Sequence, residues 1–149
     1  MNLEQLILIS VAGFLASWVH VVIGLWAHRI GMIPLNLSKA MSKLNFDPDY
    51  QEKPPYTRGT IIVQINGIVF ALVYAKLIGP YLPGIPVVRG LIFAGILFLI
   101  SQLFFIPVFL REGFFLSKLH PRAWMTAAMI HIVYGVILGW LCPILVKPY

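Results

Sequence analysis

Apolar residues run along this chain in four long stretches, with most of the charged residues gathered between them. The first stretch, about 6–27, contains no Asp, Glu, Lys or Arg. The second, about 59–78, carries Lys76 near its end; the third, about 91–110, is free of charge; the fourth, about 123–146, has Pro143 near its exit. Each is long enough to cross a bilayer, which takes about 20 residues at about 1.5 Å each. In lipid the backbone groups must be satisfied within their own segment, so each stretch is predicted to be a helix. The period-2 alternation of a membrane barrel is absent. The pattern predicts an all-α integral membrane four-helix bundle, built as a single transmembrane domain over residues 1–149.

The connections differ in kind. Gly79-Pro80-Tyr81-Leu82-Pro83-Gly84-Ile85-Pro86 is short and stiffened by three prolines, which predicts that helices two and three are neighbours. The connection after helix one is much longer. Within it Leu35, Leu37, Ala40, Met41 and Leu44 alternate with Ser38, Lys39, Ser42 and Lys43. That spacing predicts a short amphipathic helix over about 34–45, lying in the membrane interface and entered through Pro34. Asp47-Pro48-Asp49 and Pro54-Pro55 end it.

Charge sets the expected direction. Arg29, Lys39, Lys43, Lys53 and Arg58 lie in the first connection, and Arg111, Lys118 and Arg122 in the third. The other side has Lys76, Arg89 and Lys147. Eight against three places loops one and three in the cytoplasm and both termini outside it, as expected of a bacterial inner-membrane protein. The N-terminus lacks the basic region of a signal peptide, so the first helix is read as retained. Arg29, Lys39, Lys43 and Arg58 become candidates for contact with anionic lipid or a partner.

Composition agrees: 60% of residues are hydrophobic, 11% are charged and mean hydropathy is +0.89. Soluble domains sit nearer about 25% charged. The formal net charge of +6 is explained by membrane retention, and no basic soluble face exists for nucleic acid. Cys142 is the single cysteine, so no intrachain disulfide can form. No Ser-His-acid set, CxxC, HExxH or phosphate loop is present, and Asp47, Asp49 and Glu52 read as solvated loop charges. The sequence reads as non-enzymatic.

Helices in lipid associate through small residues and interhelical hydrogen bonds. Helix one shows Gly13, Ser17, His20, Gly24 and Ala27 along one seam. Helix two offers Gln64, Gly67, Ala71 and Tyr74 on one face, and helix four has Gly135-x-x-x-Gly139 with His131 a turn earlier. These seams are expected to face protein, with Ile137 on the lipid side. A faint internal echo, residues 66–72 against 134–140, hints at two parallel helix pairs. His20, Gln64, Asn66, Gln102 and His131 fall in one stratum, roughly 9–14 Å from the cytoplasmic edge at the helical rise. A structural hydrogen-bond network is one reading of that layer. The alternative is a site for haem, a chlorophyll-type pigment, a quinone or a lipid head group.

The string His131-Ile-Val-Tyr134-Gly135-Val-Ile-Leu138-Gly139 is similar to one found in a family of small four-helix bacterial membrane proteins of unknown function. Gly31-Met-Ile-Pro34, Asn66-Gly67 with Tyr74, and Arg89-Gly90 resemble the same family. The resemblance covers most of the chain, implies a four-helix bundle and supplies no activity. It also implies a histidine near Val63 or Gln64, which this chain lacks. Three functions remain open. The first is a non-catalytic accessory subunit of a larger respiratory or photosynthetic membrane complex. The others are a small haem or pigment protein using His20 and His131, and an oligomeric transporter or channel.

Overall fold

The computed structural model describes residues 1–44 and 56–145, which form helices and turns with no β-strand among them. α1 spans Leu3–Trp26 and ends in a 3-10 turn, Ala27–Ile30. The short α2 covers Leu37–Lys43. α3 spans Tyr56–Val73, continues through a π-helical turn, Tyr74–Ile78, and closes with a 3-10 turn, Gly79–Tyr81. α4 spans Pro86–Ile100 and runs on as a π-helical segment, Ser101–Leu110; α5 spans Ala123–Leu141. With their extensions, α1, α3, α4 and α5 are long and apolar enough to cross a membrane. The chain is an integral membrane four-helix bundle.

Local chemistry sets the helix ends. The Asn2 side chain accepts from the Gln5 N–H at 2.8 Å while Gln5 Oε1 accepts from the Asn2 N–H at 3.0 Å, a reciprocal cap that satisfies two orphan donors. Gly31, at φ 75°, takes the left-handed position that stops the turn after α1. Pro86 opens α4, where its missing N–H costs nothing. Pro107 lies inside the π-helical segment, so the carbonyl five residues back, on Gln102, loses its π-helical donor.

Close packing follows the small residues. α1 packs on α3 and on α5, α5 packs on α4, and α2 lies on α3. A Cβ added at Gly13 would stand 2.5 Å from Gly67 O and 2.7 Å from the Ala71 Cβ, and one at Gly67 would meet the Ser17 Cβ at 2.5 Å. Across the bundle a Cβ on Gly135 would come within 2.6 Å of the Ala94 Cβ, and one on Gly139 within 2.5 Å of Pro86 O. The same device thus joins α1 to α3 and α4 to α5, giving two antiparallel helix pairs. Large apolar side chains such as Leu8, Ile61, Ile65, Leu99 and Ile132 remain exposed on the outside, where they suit contact with lipid.

Three expectations change. First, α3 and α4 do not pair along their length, because their seams are taken by α1 and α5. They meet near the proline-rich connection, where the Tyr74 and Phe93 rings lie 5.3 Å apart. Second, the serines of α2 do not face outward. Ser38 and Ser42 are buried against α3, Thr60 Oγ1 donates to Ser38 Oγ at 2.9 Å, and bare Gly59 touches the Ser38 backbone. Third, Ile137 is half-buried against the core, whereas Ile132 and Trp140 face outward.

The core has two parts. Ile9, Ala71, Tyr74, Phe93 and Leu138 fill the end near the termini, called here the terminal end. Leu35, Ile106, Leu116, Ala123 and Ile130 fill the opposite, loop end.

A candidate binding cavity within the bundle

Where α3 and α4 part company, the bundle encloses a cavity of about 530 Å³. Small-molecule sites commonly span about 300–1,000 Å³. All four long helices line it: Ser17 and His20 from α1, Asn66 and Phe70 from α3, Ile100 and Gln102 from α4 and its extension, and Ala127, His131 and Tyr134 from α5. Leu35, Leu37, Ala40, Met41 and Leu116 wall the loop end. Phe70 and Ile100 line the cavity yet are 38% and 53% exposed on the outer surface, so it opens sideways between α3 and α4.

The segment after α1 is pinned over the loop end of this space. Leu35 N–H donates to Gly24 O at 2.9 Å, and Thr126 Oγ1 donates to Ile33 O at 2.7 Å. Gly24 permits this approach, since a Cβ there would sit 2.9 Å from Leu35 O. The seam glycine on α1 therefore serves a chain crossing rather than a helix pair.

Polar groups gather at the floor. The His20 and His131 rings meet edge to face at 5.4 Å, and His20 lies 6.0 Å from the Tyr134 ring. Tyr134 OH donates to Gly67 O at 3.1 Å, tying α5 to α3. His131 Nδ1 lies 2.7 Å from Ala127 O. A carbonyl oxygen only accepts, so Nδ1 carries the proton and Nε2 of the neutral ring presents a lone pair. Ser101 Oγ donates to Phe98 O at 2.8 Å, which leaves it able only to accept from Gln102 Nε2 at 3.3 Å. The Gln102 amide is thereby oriented with Oε1 away from Ser101. Ser17 Oγ divides its one proton between Phe14 O and Gln64 Oε1.

Among the described residues three buried polar atoms have no protein partner: His20 Nε2, Gln64 Nε2 and Gln102 Oε1. Each such group costs about 1–3 kcal/mol of lost solvation unless something pairs with it. Two of the three belong to residues lining the cavity. No known protein family, characterised protein or solved structure matches this chain.

Of the five residues in the predicted polar layer, His20, Asn66, Gln102 and His131 line one cavity. Gln64 is buried beside it, joined through Ser17. A haem ligated from both faces by His20 and His131 needs an iron between the two rings, about 2.0 Å from each nitrogen, and a slot for the macrocycle. These rings touch, so this arrangement leaves no slot. Among the described residues no three His, Cys, Asp or Glu side chains converge on a metal position. Lys39 lines the cavity's loop end and is exposed; Arg29 lies 4.4 Å over the Trp26 ring, and Arg58 is exposed at the start of α3. The Lys43 side chain and the acidic residues Asp47, Asp49 and Glu52 lie outside the described residues.

Sequence reasoning missed Tyr134 as a site residue. Its spacing of three from His131 puts both on one helical face, which was signal enough. It also missed the loop-end wall, because nothing in the sequence of α2 names α3 as the helix it packs against.

Proposed function

We propose that this protein binds a lipophilic small molecule, admitted from the bilayer between α3 and α4 and held with its polar head against His20, Gln102 and His131. One observation carries the reading: an apolar-walled cavity is lined by His20 and Gln102, each of which keeps a buried polar atom without a protein partner. A purely structural network would pair its members with each other, since interhelical hydrogen bonds contribute only when they are made. Here Tyr134 and Thr126 are paired in that way, and His20 Nε2 and Gln102 Oε1 are not.

The excess of Lys and Arg at the loop end supports placing that end in the cytoplasm. We infer that the protein acts as a non-catalytic accessory subunit, holding its ligand for a larger membrane complex.

The test is extraction. Protein purified in mild detergent should release one defined lipophile into organic solvent, near one per chain. Ile100→Trp, which plugs the opening at an already exposed position, should lose that molecule and keep its melting temperature. Equal amounts from both proteins, or only bulk lipid from the unaltered one, would refute the reading.

A further inference from the structure

Two acceptors at the cavity floor are fixed by their neighbours, and they select among lipophiles. His131 Nε2 is a lone-pair acceptor, because its Nδ1 proton is committed to Ala127 O at 2.7 Å. Gln102 Oε1 is an acceptor, because its amide nitrogen is held by Ser101 Oγ, whose own proton goes to Phe98 O. Tyr134 cannot supply the missing proton, since its hydroxyl donates to Gly67 O at 3.1 Å. Three of the polar groups at this floor, His131, Gln102 and Tyr134, thus offer acceptors or have engaged their hydroxyl donor, while His20 and Asn66 beside them keep hydrogen-bonding groups of their own. Ser17 also has its single proton engaged.

The surroundings are aromatic as well as acceptor-rich. The ring of His131 packs against His20 at 5.4 Å, Tyr134 stands beside His20, and Phe70 and Phe105 also line the cavity. Flat rings in offset or edge-to-face contact suit such a wall. From these two features we propose that the site takes a hydroxylated aromatic head, a quinol or related lipophilic phenol, in preference to the corresponding quinone. The hydroxyl protons pair with His131 Nε2 and Gln102 Oε1, and the apolar tail leaves through the opening at Phe70 and Ile100. A quinone carbonyl facing the same two atoms would set lone pair against lone pair. This inference rests on the cavity being a binding site and adds the chemical class of its occupant.

Three synthetic probes with one decyl tail separate the possibilities: a benzoquinol kept reduced under anaerobic conditions, its benzoquinone, and its dimethyl ether. The ether keeps the ring and its oxygens but has no proton to donate, and it is redox-inert. Binding to the detergent-solubilised full chain is followed by quenching of tryptophan fluorescence. The quinol should bind about tenfold or more tightly than either of the others, the factor expected of one lost hydrogen bond of about 1.4 kcal/mol. His131→Phe, which keeps a ring and removes Nε2, should shrink that preference, as should Gln102→Met. Equal binding of all three probes, or tighter binding of the quinone, overturns the donor preference while leaving the cavity a lipophile site. Failure of all three to bind overturns this inference, and the extraction experiment then decides the broader reading separately.

Discussion

Adding a single methyl group at Gly135 should weaken the bundle, while adding the same group at Gly95 should not. A Cβ on Gly135 would lie 2.6 Å from the Ala94 Cβ and 2.7 Å from Gly90 O. Carbon atoms in good contact sit about 3.5–4.0 Å apart, so α4 and α5 must separate by about 1 Å at this level. A gap of about 0.5–1 Å forfeits about a quarter to a half of the attraction of each atom pair. The loss spreads, because Gly90, Ala94, Gly135 and Gly139 share one seam. Overpacking of this kind costs about 1–3 kcal/mol. Alanine's better helix propensity returns at most about 1 kcal/mol, so Gly135→Ala should be destabilising by about 1–2 kcal/mol net. Gly95 is the internal control: it is on α4 too, and a Cβ there meets nothing within 4 Å. Gly95→Ala should melt at or slightly above the unaltered protein. Thermal unfolding in detergent, followed through the tryptophans, reads both. Equal melting of the two variants would mean that the α4–α5 contact is not close packed and would refute the reasoning.

Gly59→Leu should lift α2 off α3, since the Ser38 backbone already touches the bare glycine. In a Cys142→Ser background, Ser42→Cys should resist a soluble maleimide until Gly59→Leu is added; equal labelling with and without that change would show that α2 is not docked. Tyr134→Phe removes the hydroxyl bond to Gly67 O at 3.1 Å and should cost about 0.6–2 kcal/mol in the same melting assay. An unchanged melting temperature would remove that link between α5 and α3.

Length and hydropathy made the four spans legible, because lipid leaves the backbone no other solution. The seams were legible too: Gly13 with Ser17, and Gly135 with Gly139, are small residues one turn apart. What a seam cannot state is its partner. Gly67 faces α1 and Gly90 faces α5, and nothing in either helix says so before the chain is folded. The short proline connection pointed instead to a pair, α3 with α4, that forms at one end. The polar layer was readable in depth but less so in direction. At about 100° per residue, Gln64 and Asn66 lie about 160° apart, so one cavity could not receive both. Asn66 turned to the cavity and Gln64 to Ser17 on α1. The serines of α2 misled because polar residues on a short helix suggest water, whereas Gly59 offered backbone and Thr60 a hydroxyl.

The position of the cavity also bears on whether the polar layer conducts or holds. A solute path across the membrane would have to continue from His20 and His131 toward the terminal end. There it meets Ile9, Tyr74, Phe93 and Leu138, one from each long helix or its extension, and each is at most 1% exposed. Tyr74 directs its hydroxyl to Pro86 O, and Cys142 Sγ rests 3.9 Å from Ala71 O, so the polar atoms of this plug face backbone. Opening it would mean separating helices that meet through glycine, where every ångström of parting loses contacts on both sides. The sideways gap needs no such rearrangement, because Phe70 and Ile100 already stand at its edge with their outer faces exposed. Exchange with the bilayer is therefore the cheaper route, and it favours a site that a lipophile enters and leaves from the membrane over a path that a polar solute crosses.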